Sequence, residues 1–131
     1  MQAILCIDDD PIRYLALTRF FLDHYRTIPV LISCRIPEVK FYLENYKVAG
    51  VCLDHDMPIN GTFFATQFLI ERNIPVVVAS HNPGGAMNIM DILAEWEVPH
   101  MYRPAKDTDT WLKDVVSFFG FEFSGSKNYV G

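Results

Sequence analysis

Five short apolar runs alternate with segments of helical spacing, and this alternation restricts the possible folds more than any other feature of the chain. The runs that predict strands are 3–7, 29–33, 50–53, 74–79 and 98–102. The segments that predict helices are 11–25, 36–45, 61–72, 88–96 (with a start as early as Gly84) and 110–119, with Asp107 or Thr108 as the last helix cap. Regular strand–helix alternation is typical of a parallel sheet with helices on both faces. The sequence therefore predicts an α/β fold with a single doubly wound, five-stranded parallel sheet.

Size and charge limit the organisation and the partners of the protein. The chain has 131 residues, half of them hydrophobic, so we expect one domain at 1–120 followed by a tail at 121–131. The tail is expected to be exposed, where it could support protein contacts or a homodimer. A net charge of −5, without any run rich in lysine or arginine, argues against binding in a DNA groove.

Cysteine usage and hydropathy predict a cytoplasmic protein. Cys6, Cys34 and Cys52 are odd in number and lack CxxC spacing, so we expect buried, reduced thiols rather than disulfides or a zinc site. No apolar segment approaches the roughly 20 residues that cross a bilayer. The first residues reach charge too early for a signal peptide. We therefore expect no contact with a membrane.

Two acidic clusters directly follow predicted strands. Asp8, Asp9 and Asp10 end the first strand, and Asp54 and Asp56 flank a histidine after the third. In open α/β sheets, functional sites lie just beyond the carboxyl ends of the strands. Carboxylates crowded there repel one another unless a cation or raised pKa values compensate, and oxygen ligands suit Mg²⁺. Alternatively, each cluster is an ordinary turn, the first of them capping the helix that follows.

The sequence leaves the role of His55 open. It could be a metal ligand, a general acid or base, or a loop histidine bonded to a neighbouring carboxylate. His24 and His100 lie outside the acidic clusters and are expected to be structural.

The fourth predicted strand ends in a segment that could bind phosphate. Ser80, His81 and Asn82 precede Gly84 and Gly85 at a predicted helix start. Glycines let backbone N–H groups approach an anion, and a helix N-terminus favours negative charge. The alternative is an ordinary Asn-Pro-Gly turn.

Two arginines could supply positive charge to the same edge of the sheet. Arg103 follows the fifth strand, with Lys106 nearby, and Arg13 lies in the first turn of the first helix. The guanidinium group suits bidentate contacts with phosphate. Either arginine could equally form a surface salt bridge.

Over about residues 3–119, these features resemble the receiver fold of CheY-like response regulators. Asp8 and Asp9 match the carboxylate pair after strand one, Asp54 the phospho-accepting aspartate, and Ser80 the hydroxyl after strand four. The resemblance implies the strand order 2-1-3-4-5. Receivers have Lys-Pro after strand five, whereas this chain has Arg103-Pro104, which argues against ordinary phospho-switching.

The motifs are more similar to a divergent branch, the cyclic-phosphate-processing receiver domains. The matching segments are 9–13 (DDPIR, with an alternative register from Asp8), 53–56 (LDHD) and 80–85 (SHNPGG). This resemblance implies a metal-assisted activity on a cyclic or terminal phosphate of a nucleotide or RNA end.

The resemblance also implies roles for individual residues. The expected catalytic residues are Asp54, His55, Asp56 and His81. The expected ligands of Mg²⁺ (or Mn²⁺) are Asp8, Asp9, Asp54 and Asp56. The expected phosphate-binding residues are Ser80, Asn82, Gly84, Gly85, Arg103 and Arg13. Two alternatives remain: a stand-alone receiver phosphorylated on Asp54, and a non-catalytic module that binds a phosphorylated ligand or a protein partner.

Overall fold

A computed structural model describes residues 1–104 and 110–123 of the chain. The strands are β1 (Gln2–Ile7), β2 (Val30–Ser33), β3 (Lys47–Leu53), β4 (Val76–Ala79) and β5 (His100–Arg103). The helices are α1 (Leu15–His24), α2 (Ile36–Asn45), α3 (Gly61–Phe64), α4 (Pro83–Glu95) and α5 (Leu112–Phe118). A 3-10 turn at Pro11–Tyr14 precedes α1, and a π-helical turn at Ala65–Leu69 continues α3. Lys106, the predicted cap at Asp107 or Thr108, and tail residues 124–131 lie outside the described residues.

The five strands form one parallel sheet in the order β2-β1-β3-β4-β5. This topology confirms the predicted doubly wound α/β fold and the strand order that the resemblance implied. Within the described part of the chain, no helix has the length and apolar character needed to cross a bilayer.

Apolar side chains on the two faces of the sheet form two cores. On one face, residues of β1, β3 and β4 pack with α2, α3 and α4. On the other face, the same strands pack with α1 and α5. Cys6 and Cys52 are buried in this second core as free thiols. They lie opposite each other in the register of β1 and β3.

The start of α1 differs from the predicted helix at 11–25. Ile12 and Leu15 belong to the apolar residues of helical spacing that predict this helix, which would place them on its buried face, but they are 71% and 58% exposed. The 3-10 turn, which begins at Pro11 after the Asp10 cap, instead buries Tyr14 completely. Helical periodicity counted backwards from the core places Tyr14, three residues before Leu17, on the buried face.

Two further segments depart from the predicted helices and tail. The helix expected at 61–72 ends at Leu69, after the π turn in which the Ile70 N–H donates to Ala65 O. Phe121 was expected to be exposed, but it is half-buried and its ring meets the Phe21 ring of α1 edge-on, with 5.2 Å between ring centroids. Residues 121–123 therefore pack on α1.

Candidate functional site

The carboxyl ends of β1 and β3 bring Asp8 and Asp54 together. Ile7 and Leu53, the last residues of these neighbouring strands, are paired in register. The Asp54 N–H donates to Ile7 O at 3.0 Å, and the Asp8 N–H donates to Ser33 O of β2 at 3.2 Å. Both carboxylates follow their strands by one residue, and both are buried. The backbone pairing of the central strands therefore fixes their positions.

Three neighbouring residues donate hydrogen bonds to the Asp8 carboxylate. The Tyr14 hydroxyl donates to Oδ2 at 2.6 Å, and the Asp10 N–H donates to Oδ1 at 3.0 Å. Arg13 Nη1 donates to Oδ2 at 3.1 Å and to Oδ1 at 3.4 Å. The same Nη1 lies 3.3 Å from Asp54 Oδ2. Arg13 thus joins the two carboxylates electrostatically.

Burial makes both carboxylates harder to ionise. It raises the pKa of Asp8 from 3.8 to about 6, against the opposing effect of the Tyr14 hydrogen bond, and the nearby Asp54 charge raises it further. Burial also raises the pKa of Asp54, although a backbone hydrogen bond from His55 and the charge of Arg13 oppose that shift. Additional positive charge would therefore stabilise the ionised site.

The donor set of this edge suits a hard divalent cation. Asp8, Asp9 and Asp54 each offer one carboxylate oxygen, and these oxygens lie within 4.8 Å of one another. All-oxygen donors with excess negative charge favour Mg²⁺ or Mn²⁺ over softer metals. Asp56, the fourth expected ligand, does not belong to this group. The residues present therefore fit the metal that the sequence predicts, with three of the four expected ligands.

Asp56 instead forms a pair with His55. His55 Nδ1 lies 2.6 Å from Asp56 Oδ1, and Asn82 Nδ2 donates to the same oxygen at 3.3 Å. The hydrogen bond with His55 lowers the pKa of Asp56 more than any other interaction does. Asp56 is therefore ionised at neutral pH, which favours the tautomer with the proton on Nδ1 and a lone pair on Nε2. We call these two residues the His55–Asp56 pair.

The segment after β4 holds this pair against the start of α4. Asn82 Oδ1 accepts the Gly85 N–H at 2.9 Å, and Ser80 Oγ accepts the Asn82 N–H at 3.0 Å. A Cβ atom at Gly85 would overlap the His55 ring. Gly85 thus serves as a contact surface for the imidazole, and its N–H is used in the helix cap. The segment therefore caps α4 through Asn82, and the contact with phosphate expected of it stays a prediction.

We expect Gly85→Ala to displace the His55 imidazole, because the added methyl group would occupy the space of the ring. Overpacking of this kind lowers the free energy of unfolding by about 1–3 kcal/mol. The matched control is Gly84→Ala, whose Cβ would meet only Asn82 Oδ1 at an ordinary 3.6 Å. Urea unfolding gives the stabilities, and imidazole nitrogen shifts in NMR spectra report on His55. Equal behaviour of the two variants would contradict this packing.

Arg103 and His81, two of the predicted functional residues, make no contact with the carboxylates or with the His55–Asp56 pair among the contacts found in the described part of the chain. Arg103 Nη2 donates to Asp114 Oδ2 of α5 at 2.9 Å, and its Nη1 donates to Tyr102 O at 2.8 Å. It therefore forms the salt bridge that the sequence left as the alternative. His81 is exposed in the turn before α4. The structure thus forms two groups of predicted site residues. Arg13 contacts the carboxylates of Asp8 and Asp54. His55 contacts Asp56 and Gly85, and Asn82 bonds to Asp56. Arg103 belongs to neither group, because it is paired with Asp114 of α5.

Sequence reasoning missed Tyr14. Its hydroxyl makes the shortest hydrogen bond to Asp8, and burial raises the pKa of this phenol, so that it stays a donor. The signal was present: Tyr14 lies three residues before Leu17 and directly after Arg13. A buried tyrosine normally needs a partner for its hydroxyl, and the adjacent acidic cluster supplies one.

Comparison with solved structures places this fold among the receiver domains. The receiver domain of a DNA-binding response regulator from Colwellia psychrerythraea is 18% identical, with a TM-score of 0.68 over 89% of this chain and 96% of that chain. The N-terminal receiver domain of a Bacteroides fragilis response regulator is 15% identical, with a TM-score of 0.63 over 92% and 98%. At such low identity, these similarities establish the fold alone. Comparison with curated protein sequences gives no significant match.

The sequence itself identifies the branch. The model of the family described as "Cyclic-phosphate processing Receiver domain" matches residues 18–95, more than half of the chain. The protein therefore belongs to the cyclic-phosphate-processing receiver domain family. The match includes the His55–Asp56 pair and the segment after β4, whereas Asp8, Asp9 and Arg13 precede it.

Proposed function

We propose that this protein is a divalent-metal-dependent phosphoesterase that acts on a cyclic or terminal phosphate of a nucleotide or RNA end. The observation that carries the proposal is the 2.6 Å contact between His55 Nδ1 and Asp56 Oδ1, directly after Asp54. A phosphate switch needs only an acceptor aspartate and its metal. A histidine oriented by a carboxylate is instead the arrangement of a general base.

The His55–Asp56 pair would transfer the proton. Asp56 holds Nδ1, and no hydrogen bond to Nε2 is found within residues 1–104 and 110–123. The His55 side chain is 13% exposed, which leaves it open to a water molecule or a substrate oxygen. Asn82 supports the pair through Asp56 and makes the orientation of the ring less variable.

Asp8, Asp9 and Asp54 would hold Mg²⁺ or Mn²⁺, and the ion would supply Lewis-acid polarisation of the phosphoryl oxygens. The positive charge of Arg13, with the N–H of Gly84, would bind and orient the phosphate. In the turn after β4, the exposed His81 stays a predicted catalytic residue, and the buried Ser80 stays a predicted phosphate contact.

The proposed reaction balances as a hydrolysis. The oxygen of water forms a bond to phosphorus while one P–O ester bond of the substrate breaks. His55 Nε2 accepts the proton of the attacking water and returns it to the leaving oxygen. A cyclic phosphodiester would thus give a phosphomonoester, and a terminal phosphate would give free phosphate.

The test is turnover by the purified chain with Mg²⁺ or Mn²⁺. The panel contains 2′,3′- and 3′,5′-cyclic nucleotides, nucleoside monophosphates and an RNA oligonucleotide with a 2′,3′-cyclic phosphate end. We expect hydrolysis of at least one member, and loss of that activity with excess chelator. Absence of turnover across the panel, with Mn²⁺ binding demonstrated in the same preparation, would refute the proposal.

The main alternative is a receiver that is phosphorylated on Asp54, and the fold similarity to receiver domains favours it. Beryllofluoride mimics an aspartyl phosphate, so a spectral change in the wild type that disappears in Asp54→Asn would support this function. Tight binding of a panel member without product would instead indicate the non-catalytic binding module.

A further inference from the structure

Arg13 uses the lone pairs of Asp8 that a metal ion would need. A carboxylate offers about four lone-pair positions. On Asp8, the Tyr14 hydroxyl and the Asp10 N–H take one position each, and Arg13 Nη1 contacts both oxygens. Three donors thus share the two oxygens of this carboxylate. A metal ion that binds Asp8 competes with them for the same lone pairs.

Arg13 is the donor that can leave. Tyr14 is completely buried, and the Asp10 N–H belongs to the backbone of the turn. The Arg13 side chain is 20% exposed and lies on the short 3-10 turn at the edge of the sheet. Its Nε is already 3.6 Å from the half-exposed Asp10 carboxylate, which offers the guanidinium a second partner.

The position of Arg13 also places it in competition with the ion through charge. Nη1 lies between Asp8 and Asp54, at 3.1 and 3.3 Å from their Oδ2 atoms. An ion shared by these two carboxylates would be close to the guanidinium, and like charges at such a separation repel strongly where solvent is scarce. Arg103 does not supply a second positive charge to these carboxylates, because its guanidinium is paired with Asp114.

We propose that Arg13 is a resident counter-cation which the metal ion displaces, and that the displaced guanidinium then binds the phosphoryl group. Binding is therefore ordered: Arg13 contributes to phosphate affinity only after the metal has bound. The inference rests on the metal site of the proposed function and adds a regulatory step to it.

The test is calorimetric titration of the full chain with Mn²⁺, and with inorganic phosphate in the presence and absence of Mn²⁺. The variants are Arg13→Gln and Arg13→Lys, and the control is Arg19→Gln, which removes the same charge from the exposed part of α1. We expect Arg13→Gln to bind Mn²⁺ about tenfold more tightly or better, because the competing charge is gone. Arg13→Lys keeps the charge with fewer contacts and should fall between, so it also serves if Arg13→Gln folds poorly.

Phosphate titration provides the second measurement. We expect Arg13→Gln to weaken phosphate binding to the Mn²⁺-loaded protein about tenfold, and to leave the weak binding to the metal-free protein unchanged. Arg19→Gln should match the wild type in every titration. Variants at Arg13 that bind Mn²⁺ no more tightly than the wild type, or that lose phosphate equally with and without metal, would overturn the inference. If no form binds Mn²⁺, both the metal site and the inference are wrong, whereas the expected affinities without turnover of any substrate refute only the proposed reaction.

Discussion

Replacing His55 with glutamine is expected to lower kcat/KM for the phosphate substrate by about 10²–10⁴-fold, the range typical of a lost general acid–base group. Glutamine can still donate a hydrogen bond to Asp56, but it cannot accept and return a proton at neutral pH. Initial rates with the substrate found in the panel provide the measurement.

Metal binding distinguishes this role from direct ligation. The candidate metal ligands are Asp8, Asp9 and Asp54, and His55 is not one of them. The His55→Gln variant should therefore keep the wild-type affinity for Mn²⁺ within about twofold. The control is His100→Gln at the start of β5, the end of the strand opposite to the site. A loss of activity that is matched by loss of Mn²⁺ would reassign His55 as a ligand.

Replacing Asp8 with asparagine is expected to weaken Mn²⁺ binding by about 10²-fold or more, and to make the metal-free protein more stable at pH 7. The loss of affinity follows from the removal of a charged ligand. The gain in stability follows from the pKa of Asp8, which burial raises from 3.8 to about 6. Ionising this group costs about 3 kcal/mol more in the folded protein than in the unfolded chain, because each unit of pKa corresponds to about 1.4 kcal/mol.

The sign of the pH dependence follows from proton uptake. Between about pH 4 and 6, the folded protein binds the Asp8 proton more tightly than the unfolded chain does. The stability contributed by the protonated carboxyl is therefore complete below about pH 4 and is lost as the pH rises through about 6. Metal binding has the opposite trend, because the ion needs the carboxylate and its affinity falls below about pH 6.

Unfolding in urea at several pH values, without metal, measures this effect. The stability difference between Asp8→Asn and the wild type should grow from about pH 4 to 7. Asp23→Asn, an exposed carboxylate on α1, should show no such growth. A constant difference between Asp8→Asn and the wild type across this range would contradict the raised pKa.

The central part of the site could be predicted from the sequence because it depends on strand ends. Apolar runs that stop in carboxylates place Asp8 and Asp54 at one edge of a parallel sheet, and the register of Ile7 with Leu53 makes them neighbours. The order of the strands followed from the family resemblance. These features depend on backbone pairing and on local sequence, which a single chain displays directly.

The remaining contacts depend on side-chain directions that the sequence does not determine. Arg103 lies at a strand end, as expected, but its guanidinium is paired with Asp114, a choice set by the packing of α5 on the sheet. Asp56 is two residues from Asp54 but is exposed and turns towards His55. The sequence indicated a buried position for Tyr14, three residues before Leu17, but not that its hydroxyl would bond to Asp8 rather than to another acceptor.

The pairing of β1 with β3 fixes the positions of two carboxylates, whereas the segments around them can change in sequence. Asp8 and Asp54 are held by backbone hydrogen bonds at the centre of the sheet, which tolerate little movement. The residues that would contact a substrate beyond the metal lie in the segments that follow the strands, at 10–13, 55–56 and 80–85. Substitutions in these segments would therefore change the contacts of the proposed phosphate ligand, while the pairing of the central strands keeps Asp8 and Asp54 in place.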